Sequence, residues 1–299
     1  MRQSTWNNIG KEVKTNDPMV ALKMAHLDYT VDKQPIYTQF NGKMERVKEK
    51  AAIVRDDGYV YGVLGDKYTP LQNRNAFAFL STISDEMEIV KAGETYTGMV
   101  YLIGELPECT VLGDKFKPYI CFRTSHNGSC SLGAAITPLR IVCQNQFGFV
   151  FKKANNAISI KHSLKMADKM EQAREVLIGV QDYMKSISDL SEQFYKEKIS
   201  DKKFKQILEA ALPIKESMSQ RVKDAMIQER LRLVDCYKSD DNANFKGTAW
   251  GAVNAYSDFI THKEPKKQSK HFEERRFEKT LFDTKEFNVF LNKLTQIAE

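Results

Sequence analysis

The sequence predicts an α+β protein, with a mostly antiparallel hairpin-built sheet and one packed helix followed by a helical C-terminal half. Three observations carry this expectation. Residues 49–162 hold short runs rich in β-branched and aromatic residues, separated by Gly-, Asn- and Asp-containing turns. After residue 163 the period changes to helical spacing. Between the first hairpin and the rest of the sheet, Arg74 to Ser84 places Phe77, Leu80 and Ile83 on one helical side, with Asn73 as the expected cap.

The first 48 residues read as an N-terminal arm, with an amphipathic stretch at Pro18 to His26 and an extended piece at Tyr29-Thr30-Val31. The core, 49–162, opens with Lys50 to Arg55, a turn at Asp56-Asp57-Gly58, and a returning run at Tyr59 to Leu64. Met87 to Tyr96 and Gly98 to Ile103 are expected to pair. Lys117 to Thr124 and Ser131 to Val142 are a second pair, and Asn127-Gly128 between them fits a type I′ turn. Phe147 to Phe151 and Ala157 to Ile160 are candidate closing strands. The helical region, 163–299, holds helices at Leu164 to Ile199, Asp201 to Leu212, Ile214 to Tyr237, Gly247 to His262 and Thr284 to Ile297. Lys263 to Lys279 reads as a charged linker.

Composition narrows the function classes. At 42% hydrophobic content the chain can bury a core and is not disordered. No apolar run approaches the ~18 residues of a membrane span. The start, Met1-Arg2-Gln3-Ser4-Thr5-Trp6, lacks the apolar core of a signal peptide, so a cytoplasmic location is expected. Five loosely spaced cysteines without a CxxC pair give neither a zinc framework nor a disulfide set. Neither a Walker lysine motif, nor HExxH, nor GxSxG occurs. No metal, cofactor or bond-breaking chemistry is expected on this ground. The net charge of +6, from 45 basic and 39 acidic residues, permits a polyanionic partner without demanding one.

The candidate ligand-binding residues are basic or amide side chains of the sheet half: Lys67, Arg74, Arg123, Arg140, Gln144, Asn145, Lys152, Lys153 and Lys161. Cations can follow phosphates, amides can read base edges, and the interleaved Tyr68, Tyr119, Phe122, Phe149 and Phe151 can stack on bases. The competing reading makes those rings core, and makes Arg140 to Asn145 a buried strand end whose amides satisfy the backbone. A third reading pairs Cys143 as a nucleophile with His126 or His162. His126 stands either at a presented hairpin tip or in a simple turn.

Several segments resemble the DUF932 family of phages, plasmids and mobile elements. They are Trp6-Asn7-Asn8-Ile9-Gly10, Ala21 to Val31, Lys67-Tyr68-Thr69-Pro70-Leu71-Gln72-Asn73, His126-Asn127-Gly128-Ser129, Thr137 to Asn145, and Gly247-Thr248-Ala249-Trp250 with Asn254, Tyr256 and His262. The family carries no established reaction. Its opening order of hairpin, strand and helix is similar to that of Rad52-like single-strand annealing proteins. The resemblance implies a DNA-binding protein, for single-strand binding or annealing in recombination or replication, that forms a homo-oligomer. The alternative is an oligomeric anti-defence factor that binds and inhibits a host protein complex.

Overall fold

A computed structural model of the chain describes residues 7–142, 144–146, 157–159, 166–263, 270–282 and 285–298. The architecture is α+β, with two antiparallel sheets and helices gathered in the C-terminal half. The strands are β1 (Lys11–Thr15), β2 (Val31–Phe40), β3 (Lys43–Arg55), β4 (Val60–Gly65), β5 (Glu88–Glu94), β6 (Met99–Glu105), β7 (Cys109–Val111), β8 (Asp114–Ser125), β9 (Gly133–Arg140), β10 (Asn145–Gln146) and β11 (Ala157–Ser159). The large sheet runs β1-β5-β6-β8-β9-β10, with β7 beside β8 and β11 beside β9. The small sheet is the meander β2-β3-β4. The hairpin read at Lys50 to Leu64 therefore exists, but it belongs to this second sheet. The first 48 residues supply strands to both sheets, since β1 pairs β5 and β2 pairs β3.

Side-chain alternation divides the large sheet into two faces. Val100, Leu102, Ile120, Phe122, Ala134 and Ile136 enter the main core. Met99, Tyr101, Ile103, Tyr119 and Cys121 form a smaller cluster on the opposite face, closed by Phe277 and Leu281. The main core also takes residues of α1 (Pro18–Met24), α2 (Asn73–Phe77), α3 (Met166–Lys196), α4 (Asp201–Ala211), α5 (Gln220–Lys238), α6 (Ala249–Thr261) and α8 (Lys285–Ala298). One continuous apolar cluster thus draws on both the sheet region and the helical region. At its centre α6 is buried along nearly its whole length, with Thr248 capping its start by accepting from Gly251 N at 3.0 Å.

Three local expectations need correction. Asn73 is not the cap of α2; that position falls to Gln72, while the Asn73 amide donates to Leu27 O at 2.8 Å. The link between β8 and β9 is not a two-residue type I′ turn. That turn needs positive φ at both central residues. Only Gly128 has it there, at 73°, and strand structure resumes at Gly133. The Asn127 carboxamide is used elsewhere, donating to Thr97 O at 2.6 Å and accepting from Ser129 N at 3.0 Å. Finally, part of the expected charged linker is helix α7 (Phe272–Phe282), held against the sheet by Phe277 and Leu281. Phe147 to Phe151 lies outside the described residues.

Gly251 tests the packing of α6. A Cβ there would run into the Phe245 carbonyl and approach the Tyr237 ring. Gly251→Ala should lower unfolding free energy by about 2 kcal/mol, measured by urea denaturation. Helix propensity alone favours Ala by about 1 kcal/mol, so a stabilised variant would contradict this packing.

Candidate nucleic-acid interface

The small sheet projects a ribbon. Asn41 and Gly42 have φ of 48° and 74°, and Phe40 pairs directly with Lys43 around them. This is the two-residue turn that an Asn-Gly dipeptide favours. β4 ends at Gly65, opposite Lys50. Beyond that point residues 36–49 form a ribbon of two strands only, exposed apart from the half-buried Ile36 and Val47.

Directly opposed residues of an antiparallel pair share a face. Tyr37 opposes Arg46 and Gln39 opposes Met44, whereas Lys48 and Glu49 fall in the bulge between the Tyr37–Arg46 and Pro35–Ala51 pairs, with Glu49 at a φ of 59°. The paired residues of this face are one ring, one amide, one thioether and one cation, without a carboxylate, and the bulge beside them adds the exposed Lys48 and Glu49. Tyr37 is 53% exposed and Met44 63%. The other face carries Thr38 against Glu45 and Phe40 against Lys43, and Phe40 is 76% exposed.

The root of the ribbon is fixed by side chains. The Gln72 carboxamide accepts from Val31 N at 3.0 Å and donates to Val31 O at 2.8 Å, mimicking one more strand beside β2. Lys33 Nζ donates to Asp66 O at 2.7 Å. Arg55 makes two contacts to Asp57, at 2.9 and 2.7 Å, and one to Glu94 on β5 at 3.3 Å. Its guanidinium lies over the rings of Tyr29 and Tyr59, 4.9 and 5.0 Å from their centroids. Tyr61 donates to the Tyr29 hydroxyl at 2.8 Å, and Tyr29 donates to Glu94 at 3.1 Å. Burial, then the charge of Glu94, pushes the Tyr29 hydroxyl up to about 12, so it keeps the proton this chain needs. Tyr61 is raised further, by burial, then by the neighbouring Tyr29 hydroxyl and by Glu94.

His126 lies beneath these rings, 5.1 Å from Tyr61 and 5.9 Å from Tyr29 between centroids. It is fully buried rather than presented at a hairpin tip. Its Nε2 is 3.0 Å from Asn73 Oδ1. The Asn73 amide nitrogen already donates to Leu27, so Oδ1 is the acceptor and the proton resides on Nε2. Nδ1 has no hydrogen-bond partner among the described residues. Burial, aided by the Arg55 charge, lowers the imidazole to about 4.

The residues singled out from sequence scatter. Lys67 is exposed in the turn after β4, next to the Asp66 carbonyl that holds Lys33. Arg74 is exposed on α2 and pairs with Asp28 at 3.5 Å. Arg123 is half-buried on β8, opposite Gly133, whereas Arg140 ends β9 opposite Phe116. Seven residues along the strand separate these two positions, about 23 Å at strand rise. Arg140 is 2% exposed, bound to Asp114 at 2.6 Å and to Asp241 O at 2.7 Å, over the Phe245 ring. Its guanidinium is committed inside the fold. Gln144 and Asn145 do lie beside it: Gln144 N donates to Arg140 O, and Asn145 pairs with Arg140. The Gln144 side chain turns back to Ile141 O at 3.0 Å. Lys152, Lys153 and Lys161 fall outside the described residues, as do Cys143 and His162.

A family model described as "Domain of unknown function (DUF932)" matches residues 60–281, most of the chain. The chain belongs to the DUF932 family. No curated protein and no solved structure matches it. The ribbon lies before the matched stretch, whereas Asn73, Glu94 and His126 lie within it. No helix among the described residues is long and apolar enough to cross a membrane.

Two outcomes follow. Arg140→Ala should lose about 3 kcal/mol of stability in chemical denaturation, because it leaves the partly buried Asp114 without its buried partner. Stability should also fall on acidification. The unfolded histidine takes a proton below pH 6.5, while folded His126 stays neutral down to about 4. The unfolded state therefore binds the extra proton in that window, and stability is lost as pH falls through it, by on the order of 3 kcal/mol. His126→Gln should flatten that dependence in urea titrations at pH 7 and pH 4.5.

Proposed function

We propose that this DUF932 protein binds DNA through the β2–β3 ribbon, holding the polymer without breaking bonds. The observation that carries the reading is the carboxylate-free paired face of Tyr37, Gln39, Met44 and Arg46 on an unsupported ribbon, with the exposed Lys48 in the bulge beside it. Arg46 and Lys48 suit phosphates, Gln39 suits a base edge, and Tyr37 offers a ring for stacking on a single strand. Two strands side by side also fit the major groove of a duplex. Lys67 extends the positive charge toward the root. Single-strand binding or annealing within a homo-oligomer is the narrower form of this reading.

A second reading rests on the opposite face. Phe40 at 76% exposure, flanked by Lys43 and Glu45, suits a protein surface, as an anti-defence factor docking on a host complex requires.

The test is binding to labelled single- and double-stranded oligonucleotides across a salt series, with solution mass measured alongside. Arg46→Glu/Lys48→Glu should weaken binding more than tenfold and reduce the salt slope by about 1 to 2, one per lost phosphate contact. Absence of binding at low salt contradicts the DNA reading. A host protein whose capture depends on Phe40 and not on Arg46 would favour the second reading.

A further inference from the structure

The tip of the β2–β3 ribbon carries an apolar side chain that the fold does not use. Phe40 is 76% exposed, more than any other large apolar side chain among the described residues. It pairs with Lys43, so only a short amide, Asn41, and Gly42 lie beyond it in the turn. Among the described residues no other ring stacks on Phe40, and Lys43, Arg46 and Lys48 enter no ion pair. The ring and the exposed cations around it are therefore all open to a partner.

Spacings along the ribbon match the depth of a DNA groove. Phe40 stands five residues beyond Pro35 on β2, about 17 Å at strand rise. Arg46 lies three residues behind Lys43 on β3, about 10 Å from the tip. The grooves of B-form DNA are about 7.5–8.5 Å deep, and the major groove, about 12 Å wide, admits a two-stranded ribbon. A ribbon entering end on brings Phe40 to the base pairs while Arg46 stays level with the phosphates at the rim. Lys43, directly opposite Phe40, then reaches base-edge acceptors.

We propose that Phe40 is a wedge that enters a duplex between two base pairs and kinks it, so that the ribbon selects DNA that unstacks easily. This rests on the DNA reading of the ribbon and names the form of DNA it takes. Apolar side chains inserted at a base step partly unstack it and bend the duplex by roughly 20–90°. The neighbours of Phe40 on its own face, Thr38, Lys43 and Glu45, are polar. A lone ring at a tip suits a gap between base pairs better than the continuous apolar centre of a protein interface. The unstacking cost is least at a mismatched base, so a mismatched duplex is the preferred partner.

Energy transfer between dyes at the two ends of a duplex of about 25 base pairs reads the bend. The full chain is titrated against a fully paired duplex, the same duplex with one central mismatch, and the single strand. Binding should raise the transfer, and the mismatched duplex should bind about tenfold more tightly than the paired one. Phe40→Ala alters an exposed side chain and should keep its circular dichroism spectrum. It should lose both the rise in transfer and the preference for the mismatch, with the salt slope retained because the phosphate contacts remain. Phe40→Leu, which keeps an apolar wedge, should recover both. The wedge is overturned, and the DNA reading left standing, if the chain binds duplex without a change in transfer, binds only the single strand, or bends DNA as well with Ala at position 40. Absence of binding to all three probes overturns the wedge and the DNA reading together.

Discussion

A two-stranded ribbon buries too little apolar surface to hold its own shape in water, and an isolated hairpin is marginally stable at best. Residues 36–49 can therefore project only if their root is fixed, and the root is where this molecule concentrates its polar side chains. The Gln72 carboxamide occupies both backbone groups of Val31. Arg55 bridges the small sheet to Glu94 of the large one, and Tyr61 and Tyr29 pass hydrogen bonds to the same carboxylate. Without these contacts the ribbon would have no defined direction relative to the body.

The cluster is ordered by its charges and its protons. Arg55 faces two carboxylates, Asp57 and Glu94, and both tyrosines stay protonated as donors. Burial is the main cause that depresses the basicity of His126, and the charge of the half-buried Arg55 adds to it. Arg55 is thus already matched inside the root, whereas Arg46 stands on a ribbon face whose paired residues include no carboxylate. The ribbon exposes Arg46 and Lys48 beyond the root, which suits a polyanion.

Much of this fold was legible in the sequence, and the failures have physical causes. Helix α3 buries Val176, Val180, Tyr183 and Ile187 on one side against the core, so its 3.6-residue period is plain in the sequence. The ribbon is exposed on both faces and has no apolar alternation, so only its Asn41-Gly42 turn could reveal it. That signal was present, while the same dipeptide at Asn127-Gly128 drew the reading to a loop whose Asn127 side chain bonds to Thr97. Helix α7 was hidden because Phe277 and Leu281 stand among charges. The commitment of Arg140 depends on Asp114 and Asp241, 26 and 101 residues away, which no local pattern records. A candidate set chosen by residue type therefore mixed surface cations such as Lys67 with a buried strut.

The most direct test of the account is to replace residues 36–50 with Asn-Gly, closing the hairpin at the Pro35–Ala51 pair while leaving the root clamp in place. Oligonucleotide affinity and circular dichroism are then compared with the full chain. The account predicts a folded protein that has lost DNA binding at low salt. A folded, shortened protein that binds as tightly as the original would contradict it and place the interface elsewhere.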